Sequence, residues 1–307
     1  GRNMTSIISD IPFTTAIAER FSSNLGANSA CSLQLSSSGQ SLQVSGNNVS
    51  LLASAGNVIL QGAQASGVNG TQFGVIIAAS SGNVILATSL DQPFHLSGPN
   101  TGSNVTAGQD LIVNLGFAQN GQQTQDLEID GQSSFLTAGR DVVLNVSDVN
   151  SVPDLQIQAG RDVILQSDVG GSNATLTAQT LNVTAGRDVS MNATSALVIG
   201  SDIGDLTVSA GNNLTATAGS GFNTQNGPGS SLNLTAGGNL SIAGGNGPSS
   251  LIGARNSLTA VTGNLTLTTS GPVDFRLSSG SSTNVSAGQD LTINLGNSGG
   301  AGDANLI

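Results

Sequence analysis

The stretch 137–146 reads T-A-G-R-D-V-V-L-N-V, and its recurrence limits the chain to very few architectures. The phrase returns as A-G-Q-D-L at 107–111 and 287–291, and as A-G-R-D-V at 159–163 and 185–189. It returns again as A-G-N-N-L at 210–214 and A-G-G-N-L at 236–240, with shorter G-N-V or G-N-L forms at 56–58, 82–84 and 263–265. The anchor glycines are Gly56, Gly82, Gly108, Gly139, Gly160, Gly186, Gly211, Gly237, Gly263 and Gly288. Their intervals are 25 or 26 residues, apart from one of 31 followed by one of 21, which offset each other. A fixed period of this size means stacked supersecondary units that bury a core only against their neighbours.

Within one period the apolar residues alternate. After the Asp188 corner come Val189-Met191-Ala193, then Leu197-Ile199, then Leu206-Val208-Ala210, and the next corner follows at Gly211. Alternation is the strand period, so Val183 and Val208 are expected inward and Thr184 and Thr207 outward. Three strands of three to five residues, separated by Gly, Asn, Asp or Ser corners, cannot make a hairpin ladder at this period. They can close one coil whose strands pair in parallel with the next coil, about 4.8 Å away. The expectation is an all-β fold, a right-handed single-stranded parallel β-helix of about ten coils. Its inward Leu, Val, Ile and Ala would stack like on like. The expected division is a non-repeat segment, 1–30, followed by the β-helix over 31–307. In that segment Phe13, Ile17, Phe21 and Leu25 share one helical stripe, with Pro12 near its start and Gly26 near its end. It reads as a short helix, serving as an end cap or as an assembly element that docks on another subunit.

Composition narrows function. Charged residues make up 8% of the chain, the formal charge is −11, and all seven basic residues are arginines. Nucleic-acid binding needs a basic stripe to replace counterions, so nucleic acid is not an expected partner. No run of about 18 apolar residues exists, so no membrane span is expected. The first residues are Gly1-Arg2-Asn3, which reads as a processed or excised segment. The single Cys31 offers no intramolecular disulfide and is expected to be a small buried residue.

The corner position carries Asp110, Asp141, Asp162 and Asp188 in successive coils, then Asn213 and Asn239. The plain reading is corner geometry, with the Asx side chain bonding backbone two residues on. Stacked carboxylates repel, and Arg140, Arg161 and Arg187, each one residue before its Asp, could offset that repulsion in a surface ladder. No repeated G-G-x-G-x-D nonapeptide is present, so a calcium ladder is not expected.

Parallel β-helices also include sugar lyases and pectinases, so catalysis has to be weighed. Only two glutamates exist, Glu19 and Glu128, and the one histidine, His95, is matched by Arg276 in a longer internal echo of 94–111 at 275–291. No catalytic residue and no cofactor are expected. Asp126, Glu128 and Asp130 fall in the long period and are the candidate cation ligands, beside the plainer reading of a solvated acidic loop. Asn-x-Ser/Thr triplets are dense, and Asn104, Asn145, Asn182, Asn192, Asn213, Asn233, Asn264 and Asn284 are candidate glycosylation sites.

The A-G-x-D-[VL]-x-[VL]-x-[AV] phrase resembles the haemagglutinin repeats of filamentous-haemagglutinin-type adhesins and large exoproteins, over about residues 46–296. The resemblance implies the shaft of a secreted or cell-surface protein. Some relatives carry sugar on Asn-x-Ser/Thr. The family's Asn-Pro-Asn secretion motifs are not seen, and its usual lysines are missing. The leading expectation is therefore a structural shaft or filament subunit, extracellular or on the cell surface, that associates with itself head to tail. The alternative is a surface module recognising host cells or glycans, and the last is a polysaccharide-degrading β-helix.

Overall fold

The computed structural model describes residues 25–37, 41–88, 92–115, 126–167, 173–271 and 273–296. The expected helical stripe therefore lies almost wholly outside the described residues. Throughout these residues the chain forms short parallel strands, stacked as a β-solenoid of about nine turns roughly 26 residues apart, and no helix occurs among them. It divides into two units, residues 1–159 and 160–307.

In the first unit each coil contributes to three stacks. One runs through Leu33–Ser36, Val58–Gly62, Val84–Thr88, Leu111–Leu115 and Val142–Asn145, every neighbouring pair parallel. A second runs through Gln43–Gly46, Ser66–Gly70, Phe94–Gly98 and the first half of Asp126–Ala138. The third runs through Leu25–Ser29, Val49–Ala53, Val75–Ala79, Ser103–Ala107 and the second half of Asp126–Ala138. Leu25–Ser29 pairs with Val49–Ala53 residue for residue, so coil pairing is already present before residue 31. Gly26, placed in sequence at a helix end, lies in that strand.

The second unit repeats the arrangement. Val163–Ser167, Val189–Ala193, Leu214–Ala218, Leu240–Gly244, Leu265–Thr269 and Leu291–Asn294 form one parallel stack. Ala174–Ala178, Leu197–Ser201 and Phe222–Asn226 begin the second. Thr180–Ala185, Leu206–Ala210 and Leu232–Ala236 begin the third. The two latter stacks merge in the long strands Ser249–Ala260 and Phe275–Ala287.

The core of each unit is the inner column of these stacks. Val183 and Val208 are fully buried and aligned, while Thr184 and Thr207 lie on the outer face and are half-buried. Phe94 and Phe275, the matched residues of the internal echo, are both fully buried in the second stack of their units. Burial of one side chain in two, at about 1.5–3 kcal/mol for each Val, Leu, Ile or Phe, drives a coil to close even though it holds no Trp or Tyr.

The repeated glycine has a steric cause. A Cβ on Gly211 would fall inside contact distance of the Gly186 carbonyl oxygen, and one on Gly237 would strike the Gly211 carbonyl. Gly82, Gly108, Gly139 and Gly288 meet backbone oxygens of the preceding coil in the same way. At this corner successive coils touch backbone to backbone, and a side chain has no room.

Candidate functional site

The corner next to that glycine holds a continuous ladder of side-chain-to-backbone hydrogen bonds. In the first unit Asn57 N–H donates to Ser32 Oγ at 3.1 Å, Asn83 N–H to Asn57 Oδ1 at 2.8 Å, Asp110 N–H to Asn83 Oδ1 at 3.0 Å and Asp141 N–H to Asp110 Oδ1 at 3.2 Å. In the second, Asp188 N–H donates to Asp162 Oδ1 at 3.2 Å and Asn213 N–H to Asp188 Oδ1 at 3.0 Å. The series continues as Asn239 N–H to Asn213 at 3.1 Å, Asn264 N–H to Asn239 at 2.9 Å and Asp290 N–H to Asn264 at 3.0 Å. Where the sequence suggested a bond to backbone two residues on, these side chains bond across the coil spacing. An extended strand leaves the corner at once, so the nearest orphan N–H belongs to the next coil.

Arginine joins the ladder where the rungs are carboxylates. Arg140 Nε donates to Asp110 Oδ1 at 2.7 Å and its Nη2 donates to Asp110 Oδ2. Arg187 Nε donates to Asp162 Oδ1 at 2.8 Å, its Nη2 to Asp162 Oδ2, and Nε also lies 3.0 Å from Asp188 Oδ2. The fork of each guanidinium matches a carboxylate, which a lysine ammonium cannot do. The Arg187 pKa is raised, first by its hydrogen bond to Asp162 and then by the charges of Asp162 and Asp188, against desolvation and the neighbouring Arg161. A raised guanidinium pKa keeps the group charged at any working pH, so Arg187 itself adds no step to stability against pH.

The remaining candidates fall on the outer surface. Asp126, Glu128 and Asp130 do not form a loop. They occupy alternate positions of the strand Asp126–Ala138, with Leu127 and Ile129 buried between them. Alternation spreads the three carboxylates over roughly 13 Å of strand, too far to close on one cation, and among the described residues no group of three His, Cys, Asp or Glu is assembled. Strand register puts His95 beside Glu128, Nδ1 to Oε2 at 2.6 Å. Cys31 is exposed at the corner between Leu25–Ser29 and Leu33–Ser36, not buried, because the inward alternation resumes only at Leu33.

Of the sequon asparagines, Asn104, Asn182, Asn192 and Asn284 are exposed on outer strand positions, and Asn145 and Asn233 are half-buried there. Asn213 and Asn264 are rungs of the corner ladder, each accepting the N–H of the next coil. Sequence reading does not anticipate one break in the second stack, at Thr224. The available signal was a threonine in a column otherwise filled by Leu176, Ile199 and Leu251.

Fold and corner ladder define a parallel β-solenoid repeat protein whose regular features all serve stacking. Residues 170–300 match the family model described as hemagglutinin repeat, and with the solenoid this fits a filamentous-haemagglutinin-type repeat protein. No curated protein and no solved structure compared with the chain matches it. The hemagglutinin-repeat family is a structural and adhesin family whose members are typically secreted or at the cell surface. Among the described residues no helix is long and apolar enough to cross a membrane.

Proposed function

We propose that this chain is a length of shaft in a secreted or cell-surface adhesin-like protein, and that copies associate end to end. The observation that carries the shaft reading is the uninterrupted period of the corner rungs within each unit, from Ser32 to Asp141 and from Asp162 to Asp290. Each coil offers the next the same core column and the same acceptor, which is how a solenoid extends without a new design at each step. Immunogold labelling of intact cells of the source organism tests the location. Label on the cell surface or in the medium is expected, and label confined to the cytoplasm overturns it.

End-to-end association is supported by the coil 275–294. Leu291 is 50% exposed and Ile293 38%, whereas their partners one coil back, Leu265 and Leu267, are fully buried. Among the described residues no strand pairs with the far edge of Leu291–Asn294, and an open strand edge over apolar side chains takes a further coil, supplied under this proposal by a second copy. The apolar segment 11–25 of a second copy is the proposed cover. Contact between unlike surfaces does not close on itself, so it yields filaments. Sedimentation velocity of the whole chain should show species that grow with concentration. Deletion of residues 1–24 should abolish that growth and leave the β circular-dichroism signal intact. A whole chain that stays monomeric at high concentration overturns the association and leaves the shaft reading standing.

A further inference from the structure

In the first unit, the stack that begins at Leu33–Ser36 departs from strict alternation of apolar and polar residues. Its later strands carry Val58-Ile59-Leu60, Val84-Ile85-Leu86, Leu111-Ile112-Val113 and Val142-Val143-Leu144. The first and third residues of each triplet are buried in the core. Strand register then aligns the middle ones, Ile59, Ile85, Ile112 and Val143, in one column on the outer face. There they are half-buried, as neighbours in a column shield one another. Beside them runs a second outward column, Gln61, Ala87, Asn114 and Asn145.

The corresponding stack of the second unit supplies the contrast. Its outer column begins at Ile164 and continues as Ser190, Thr215, Ser241, Thr266 and Thr292. Outward hydroxyls suit a sheet with one wet face, whereas parallel strands buried on both faces read as continuous apolar runs. The second unit closes the same kind of coil without the apolar column, so stacking does not require it. The solenoid core covers only one face of the first unit's stack, which leaves the other face in want of a cover. Neither of its outward columns contains a charged residue, in a chain of formal charge −11.

We propose that this face packs side to side against the same face of a second copy. Copies of so acidic a chain repel one another, and an uncharged face is where they can approach. The apolar ridges recur at the strand spacing, about 4.8 Å. An identical face carries the identical spacing, so the ridges of one copy fit between those of the other along every coil. A helix, with a pitch of about 5.4 Å, falls out of step. Two such sheets pack about 10 Å apart with interdigitated side chains, and a two-fold relation closes the contact as a pair. The face offers roughly 300 Å² per copy, against about 800 Å² in a stable complex, so the pair is weak and exchanging. It stands whether or not copies also associate end to end.

The test is cross-linking of the whole chain carrying Cys31→Ser and Ala87→Cys with a short bis-maleimide. Ala87 lies beside the centre of the apolar column, and end-to-end contact does not bring residue 87 of two copies together. A cross-linked dimer is expected. Thr217→Cys in the same background, on the outer face of the second unit's stack, should stay uncross-linked. Adding Ile85→Thr and Ile112→Thr should cut the dimer of the Ala87→Cys chain by about tenfold or more, through lost apolar burial, and leave the β circular-dichroism spectrum unchanged. Ile59→Thr with Val143→Thr gives the same reading should the central pair unfold. Cross-linking that persists in the threonine variants, or is equal at Thr217→Cys, overturns the proposal. So does absence of the dimer. In that case a melting temperature lowered by the threonines assigns the cover to the chain itself, and co-sedimentation with phosphatidylcholine vesicles assigns it to a membrane.

Discussion

Asp162 carries several hydrogen bonds at once, and they are not equal. Its Oδ1 accepts the Asp188 N–H of the next coil, and both its oxygens accept from Arg187. Asp162 is buried, while the Arg187 side chain is 53% exposed. An exposed ion pair contributes about 0–1 kcal/mol, whereas a sheltered N–H left without its acceptor costs about 1–3 kcal/mol. Arg187→Ala should therefore lower stability by less than about 1 kcal/mol. Asp162→Ala should cost more, about 1–3 kcal/mol, and Asp162→Asn should fall close to Arg187→Ala, because the amide oxygen keeps the backbone acceptor. Urea unfolding of the three variants checks the order. If Arg187→Ala proves the costliest, charge and not backbone satisfaction holds the corner. The native rungs Asn213, Asn239 and Asn264 show that an amide serves.

At the scale of the coil, the corner glycine decides how closely two turns can stack. Gly211 is not among the glycines with positive φ, so an alanine there is not opposed by its backbone conformation. It is opposed by the Gly186 carbonyl, which is backbone and cannot swing aside. Gly211→Ala should cost about 1–3 kcal/mol, the usual range for overpacking, and should speed amide exchange at Asn212 and Asn213. Gly229 is the contrast, with φ of +89° and open space around its would-be Cβ. Gly229→Ala should pay only local backbone strain, about 1–2 kcal/mol, without disturbing exchange in neighbouring coils. Equal exchange profiles for the two variants would remove the steric account. The position of these glycines was plain from the 25–26-residue interval, but the reason for them was not. A turn residue and a contact residue look the same along one chain, and only the carbonyl of the coil below tells them apart.

For the molecule as a whole, stability should be assembled locally. Residues 160–307 contain their own three stacks and their own run of rungs from Asp162 to Asp290. Coils contact nearest neighbours, so a fragment of several coils carries most of what it needs. The fragment 160–307 is expected to keep a β circular-dichroism spectrum and a cooperative melt, at a lower temperature than the whole chain. A fragment that is unfolded in buffer would mean that folding depends on residues before 160.

The sequence by itself determined the period, the inward set and the polar corner, because each is written in local alternation and a recurring phrase. Val183 and Val208 were assignable to the core, and Thr184 and Thr207 to the surface, since a strand turns every second side chain the same way. Stacking decided the rest. It made the corner Asx side chain a rung that reaches the next coil, and it set Asp126, Glu128 and Asp130 along a strand with His95 beside Glu128. It left Cys31 in solvent and parted two strands at Thr224. In each case the deciding partner lies on a neighbouring coil or in the phase of a corner, and neither is encoded within the few residues that show the pattern.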